Sequence, residues 1–139
     1  MLKSFFSPNP FLQQTGLMLI RVITGALLIY HGWEMFDAEK IKMYAGWFAE
    51  RKYSNPEAMV YAGKIAELLA GIGFVLGLFT RLASLATIAA FAGIIFLLGD
   101  RGKIFQGDQH PFLFILLALV FIFTGPGAWA LDNLFFKKK

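Results

Sequence analysis

Polar side chains that could bind a ligand or move a proton lie inside apolar stretches of this chain, at Arg21, His31, Glu34, Lys64 and Glu67. A charge at the centre of a membrane helix costs at least about 2.5 to 3.5 kcal/mol, so such groups are expected to be paired or functional. Arginine and lysine donate hydrogen bonds, while glutamate and histidine exchange protons. These residue types indicate a site that holds or protonates a small molecule.

Arg21 and Glu67 each share a helical face with glycines, and small residues let helices approach closely. The two faces are therefore predicted to pack together, with an Arg21–Glu67 ion pair whose carboxylate Lys64 could share. Three interpretations remain open: a structural pair that fixes helix register, a proton or ligand site, and snorkelling side chains. The two faces comprise Thr24, Gly25, Leu28, Gly32 and Met35 around Arg21, and Gly63, Lys64, Gly71, Phe74 and Leu78 around Glu67.

A second polar cluster is predicted at the far end of the first helix, on the opposite side from Arg21. Chain threading brings a later polar loop to the same side, so both histidines of the chain are expected near one membrane face. They could bind a metal, hydrogen-bond a quinone headgroup or simply be solvated, and no metal site is assigned. The cluster consists of His31, Trp33 and Glu34 with Asp100, Arg101, Asp108 and His110.

Composition indicates a membrane protein. Hydrophobic residues make up 58% of the 139 residues and charged residues 16%, against about 25% charged in soluble domains. No cysteine is present, which excludes a disulfide, a thiolate-ligated metal centre and dithiol chemistry within this chain. The net charge is +4, but basic residues are scattered apart from Lys137, Lys138 and Lys139. Contact with lipid headgroups is therefore expected, and nucleic acid is not.

The hydropathy pattern predicts an all-α fold, a polytopic four-transmembrane-helix bundle in one domain over residues 1–139. Its helices are placed at about 15–36, 56–79, 82–98 and 108–124, near the length of about 20 residues needed to span. Asn55 is a candidate cap for the second helix, with Pro56 at its first position. The first segment carries Arg21 and lacks a clear cleavage site, so it is expected to remain as a membrane helix.

Two segments outside these spans have their own signatures. Residues 37–54 place Ile41, Tyr44, Trp47 and Phe48 at helical spacing, which predicts an amphipathic segment at the membrane interface. Gly125, Pro126 and Gly127 should end the fourth helix. A short tail helix over 128–136 would follow, capped by Asp132. Basic residues occur on both predicted sides, so orientation stays open.

Four stretches together resemble the DoxX family of small four-helix membrane proteins. They are "RVITGALLIYHGWEMF", "AGWF", "ELLAGIGFVLGLFTRLAS" and "TGPGAWALD". The resemblance implies a four-helix bundle and, by analogy with several members, a quinone-linked or redox-stress role as a subunit of an oxidoreductase complex. The motif-matched positions are Arg21, His31, Glu67, Thr80, Arg81 and Asp132.

These observations favour a quinone-associated accessory subunit of a membrane oxidoreductase or redox-stress system in the bacterial inner membrane. Quinone is the expected ligand, and membrane lipids, a redox partner protein and a second copy of the chain are the expected partners. A partner would supply the electron carrier that the chain lacks. A non-catalytic scaffold or assembly protein remains the alternative from a different class. A small-molecule transporter is a further alternative, because intramembrane charges are expected there too.

Overall fold

The computed structural model describes residues 7–99 and 103–136, and every regular element within them is helical. Asp100, Arg101 and the three terminal lysines lie outside this range. A 3-10 turn at Glu34–Phe36 follows the first helix, and a π-helical turn at Ile94–Leu98 continues the fourth. The helices are α1 (Gln13–Trp33), α2 (Ala38–Glu50), α3 (Pro56–Leu76), α4 (Thr80–Gly93), α5 (Gln109–Thr124) and α6 (Leu131–Phe135).

Within the described residues, three helical segments are long and apolar enough to cross a membrane: Gln13–Phe36, Pro56–Leu76 and Thr80–Leu98. The fourth, α5, has 16 residues, which is about 24 Å and shorter than the hydrocarbon core of about 30 Å. Large apolar side chains such as Ile23, Leu69 and Leu82 point outward, as they do in a bundle whose surroundings are lipid. The prediction of an all-α membrane bundle is confirmed.

The helix boundaries differ from the predicted ones at the α3–α4 hairpin. The helix α3 ends at Leu76, before the predicted residue 79, because Gly77 adopts a left-handed φ of 63° and closes the helix. The next helix begins at Thr80 rather than at residue 82. Pro56 occupies the start of α3 as predicted, but the Asn55 side chain makes no capping hydrogen bond. The prediction that the Asn55 side chain caps this helix was therefore wrong.

Glycines set the contact between α1 and α3. A Cβ atom on Gly25 would lie 2.8 Å from the Gly71 carbonyl oxygen, and one on Gly71 would lie 2.7 Å from the Ile29 nitrogen. A Cβ on Gly32 would lie 2.5 Å from the Leu68 nitrogen. The two helices therefore touch backbone to backbone along this seam. Gly63 is different, since a Cβ atom there would meet nothing within 4 Å, and its predicted place in the tight contact was wrong.

The amphipathic helix predicted between the first two spans is α2. The Asp37 side chain accepts hydrogen bonds from the backbone of Glu39 and Lys40 and so caps its start. Its apolar face packs on α3, where a buried cluster joins the two helices. That cluster consists of Ile41, Ala45, Phe48 and Val60.

Replacing Gly71 by leucine should lower the stability of the bundle. The new side chain would collide with the backbone of α1, and overpacking of this kind costs typically about 1 to 3 kcal/mol. Gly16→Leu is the matched control, since Gly16 also lies within a spanning helix and nothing lies within 4 Å of a Cβ there. The measurement is the Tm of both variants in detergent. If Gly71→Leu and Gly16→Leu have the same Tm, the backbone contact between α1 and α3 is contradicted.

Candidate functional site: an apolar cavity with a buried ion network

A cavity of about 560 Å³ lies between α2, α3 and α4, with His31 of α1 at its wall. It exists because α4 presents small residues toward α3 over successive turns, where larger side chains would fill the space. Aromatic and aliphatic side chains from α2 and the end of α4 complete the walls. The small residues are Ala86, Ala89, Ala90 and Gly93, and the larger apolar ones include Trp47, Phe48, Met59 and Leu97. We call this space the main cavity.

Lys64 and Glu67 supply the polar part of the cavity wall. They lie one turn apart on α3, and the Lys64 ammonium donates to Glu67 Oε2 at 3.1 Å. The same ammonium donates to Glu34 Oε2 at 2.9 Å and lies 4.9 Å from the centre of the Tyr44 ring. Lys64 therefore bridges two carboxylates at the edge of an apolar space.

Glu34 is the centre of the network. Its Oε1 accepts a hydrogen bond from Lys40 Nζ at 2.7 Å, and its Oε2 accepts from Tyr44 Oη at 2.9 Å as well as from Lys64. The carboxylate thus ties the end of α1 to α2 and α3. We call Lys40, Glu34, Tyr44, Lys64 and Glu67 the ion network.

Exposure differs between the two ends of the network. The side chain of Lys40 is 39% exposed, those of Glu34 and Lys64 are 10% and 12% exposed, and that of Glu67 is 4% exposed. Burial, reinforced by the hydrogen bond to Glu34, raises the pKa of Tyr44 to about 12, so its hydroxyl is a donor at neutral pH. The hydrogen bond to Glu34 also raises the pKa of Lys40. The network therefore runs from an exposed end at Lys40 to a buried end at Glu67.

The formal charges of the network cancel when all four groups are ionised, because it contains two carboxylates and two ammonium groups. A neutral site in an apolar cavity has no surplus charge to offset the burial of an anionic or cationic headgroup. Within residues 7–99 and 103–136, no group of three or more metal-binding side chains is placed to hold a metal ion. The arrangement suits an uncharged molecule with hydrogen-bonding groups and an apolar body.

His31 lies beside the network, in the wall of the main cavity. Its ring centre is 5.5 Å from that of His110 at the start of α5, and both rings contact Phe114 edge-on. The prediction that the two histidines share one end of the bundle is confirmed. Because His31 comes from α1, Tyr44 from α2 and Lys64 from α3, the cavity is lined by hydrogen-bonding groups from three helices.

Arg21 does not pair with Glu67, so the predicted ion pair was wrong. The guanidinium is fully buried, and its Nη2 donates to the carbonyl oxygens of Trp129 at 2.9 Å and Ala128 at 3.4 Å. A Cβ on Gly77 would overlap this guanidinium. Arg21 instead holds the segment that follows α5 against the bundle.

Helix register is the reason why the pair does not form. The seam places Gly25 beside Gly71 and Gly32 beside Leu68, so Glu67 lies level with the end of α1 while Arg21 lies level with Gly77. Residues 67 and 77 are separated by about 15 Å along a helix at the usual rise. Glu67 therefore joins Glu34, which the sequence placed in a separate polar region.

Asp132 belongs to the Arg21 end of the bundle. Its carboxylate accepts hydrogen bonds from the backbone nitrogens of Phe79 at 2.6 Å and Thr80 at 2.8 Å. It therefore caps α4 instead of the tail helix, and the predicted capping role was wrong. Aspartate suits this position because the first turn of a helix has unpaired N–H groups.

The remaining motif residues surround the same end. The α5 helix ends at Thr124 as predicted, with Gly125 and Gly127 at φ values of 79° and 74° on either side of Pro126. Arg81 Nε donates to the Ile122 carbonyl oxygen at 3.3 Å. These positions fold the tail onto the bundle and lie outside the lining of the main cavity.

Lys40 and Tyr44 are the network members that the sequence did not assign to a polar site; Tyr44 was expected only as part of the amphipathic interfacial segment. They lie four residues apart and so share one face of α2, soon after Glu34 in the chain. A carboxylate followed by a lysine and a tyrosine at this spacing was the available signal. The significance of this signal depended on the turn at Glu34–Phe36, after which α2 packs on α3.

Comparison with known proteins identifies a family and two bacterial relatives. The family model of DoxX matches residues 16–100, a range that contains the whole ion network. A Haemophilus influenzae protein named "Uncharacterized protein" is 34% identical over 128 residues, covering 88% of this chain and 92% of the relative. "Putative oxidoreductase CatD" of Bacillus subtilis is 27% identical over 127 residues, covering 91% of each chain. No solved structure gives a significant match.

Double-mutant cycles should distinguish the observed pairs from the predicted one. Glu34→Gln and Lys64→Met should couple by about 0.5 to 3 kcal/mol in unfolding free energy, because the two side chains share a hydrogen bond. Arg21→Met and Glu67→Gln should add to within about 0.5 kcal/mol, because distant sites without shared partners are independent. Denaturation in detergent measures both cycles. Strong coupling in the second cycle would contradict the register described above.

Proposed function

The chain belongs to the DoxX family, and we propose that it is a quinone-binding accessory subunit of a membrane oxidoreductase or redox-stress system. The observation that carries this proposal is the main cavity, an apolar space with Lys64, Glu67 and His31 in its wall. A quinone combines an uncharged polar ring with an apolar tail. Its carbonyl oxygens would accept hydrogen bonds from the polar wall while its tail lies along the alanine-rich face of α4.

The neutral charge of the ion network favours a quinone over other lipid-like molecules. A fatty acid or an anionic phospholipid would bring a negative charge next to Glu34 and Glu67, whose charges Lys40 and Lys64 already balance. An uncharged ring adds no net charge and still finds the Lys64 ammonium as a donor. This balance supports an uncharged ligand such as a quinone.

A partner protein would supply the electrons, because the chain has no cysteine and so holds no thiolate-ligated centre of its own. A flavin or iron–sulfur protein is the class of partner that fits. The name of the Bacillus subtilis relative supports the redox part of the proposal. Both relatives are bacterial, which supports a location in the bacterial inner membrane.

Filling the main cavity should abolish quinone binding without unfolding the protein. Gly63 and Gly93 both line the cavity, and nothing lies within 4 Å of a Cβ at either position. Gly63→Leu or Gly93→Leu should therefore weaken decylubiquinone binding by about tenfold or more, since the added side chain occupies the site. Saturable quenching of tryptophan fluorescence in lipid nanodiscs measures the Kd, and Trp47 in the cavity wall is the expected reporter.

Gly16→Leu is the matched control, because it adds the same side chain in open space outside the cavity. It should bind decylubiquinone with the wild-type Kd. If the wild-type protein shows no saturable quenching, the quinone proposal fails. If both cavity variants bind as tightly as the control, quinone binds elsewhere and the main cavity is not its site.

A further inference from the structure

We propose that Lys40 and Glu34 form a proton relay that connects the protein surface with the main cavity. This inference rests on the proposed function, because a bound quinone takes up protons when it is reduced. Its own basis is the geometry of the ion network. Lys40 and Glu34 do not line the cavity and would act through Lys64 and Glu67, which do. Lys40 and Glu34 are therefore positioning residues.

Hydrogen bonds join the members of the relay without a break. Lys40 Nζ lies 2.7 Å from Glu34 Oε1, Lys64 Nζ lies 2.9 Å from Glu34 Oε2, and Lys64 Nζ lies 3.1 Å from Glu67 Oε2. Each distance is within the range of a direct hydrogen bond. A proton can therefore pass between neighbours without displacement of the backbone.

The relay crosses from one space to another. Lys64 and Glu67 line the main cavity, while Glu34 and Lys40 line an outer cleft of about 720 Å³ beside Tyr30 and Trp33. The Glu34–Lys64 hydrogen bond lies on the boundary between the two spaces. A static pair that only fixed helix register would not need the exposed lysine at its outer end, whose side chain is 39% exposed.

Proton balance defines what each residue does. Reduction of a quinone to a quinol adds two electrons from the flavin or iron–sulfur partner and one proton to each of the two ring oxygens. Lys64 gives a proton to a reduced ring oxygen, and Glu34 passes a proton from Lys40 to Lys64 by rotation of its carboxyl group. Lys40 then regains a proton from water. A second passage continues from Lys64 to Glu67, which gives its proton to the other ring oxygen and returns to the carboxylate form.

Other titratable groups near this path have different places. Tyr44 donates to Glu34 but keeps its proton at neutral pH, since its pKa is raised to about 12. Asp37 is occupied as the cap of α2. His31 and His110 face each other at another part of the wall. Lys40 is therefore the exposed end of the hydrogen-bonded path among the described residues.

Protein-film voltammetry of nanodiscs loaded with decylubiquinone tests the relay, with the electrode as electron donor. Lys40→Met should slow the proton-coupled reduction of the bound quinone by about tenfold or more, within the range that positioned proton transfer contributes. The Kd for decylubiquinone should not change, because Lys40 does not line the main cavity. Added methylammonium, a small proton donor, should restore the rate, and a purely structural role of Lys40 would not respond to it.

Lys42→Met is the matched control, since Lys42 is an exposed lysine on the same helix. Its reduction rate should equal that of the wild type. If Lys40→Met reduces the bound quinone at the wild-type rate, the relay is overturned. A slow reduction rate that methylammonium leaves unchanged would also overturn it. Quinone binding would stand in both cases. Absence of decylubiquinone binding by the wild-type protein would overturn the proposed function and the relay together.

Discussion

The backbone contact between α1 and α3 determines which polar groups of this protein meet. Gly25 and Gly71 lie so close that a Cβ on either would collide with the opposite helix, and the register of the two helices is fixed there. Glu67 consequently lies beside the end of α1, where Lys64 joins it to Glu34. Arg21 is carried to the other end of the seam, next to Gly77. Two separate polar regions follow from one helix contact.

The two regions have different consequences for the molecule. At the Arg21 end, polar groups bond to backbone atoms: Arg21 to the carbonyls of Ala128 and Trp129, and Asp132 to the start of α4. These contacts fasten the tail. At the Glu34 end, the charged groups bond to one another and border a cavity. Buried charges that pair among themselves beside an open space are typical of functional sites.

The main cavity and the ion network depend on each other. Small residues on α4 leave space that α2 covers, and the hydrogen bond from Tyr44 to Glu34 links α2 to the end of α1 beside this space. Without Glu34, α2 would lose this link. The carboxylate therefore contributes to the shape of the cavity as well as to its chemistry.

The sequence by itself determined the class of the fold and the residues of interest. Apolar runs of spanning length predict membrane helices, and the glycines beside Arg21 predict a packed inner face, because these properties are local to each helix. The partners of Arg21, Glu67 and Asp132 depended on the tertiary structure. A shift of one helix along another by a few turns exchanges every contact between charged groups, and no local pattern specifies that shift. The cavity likewise exists only where α2, α3 and α4 meet, so the sequence pattern alone assigned Gly63 to helix packing.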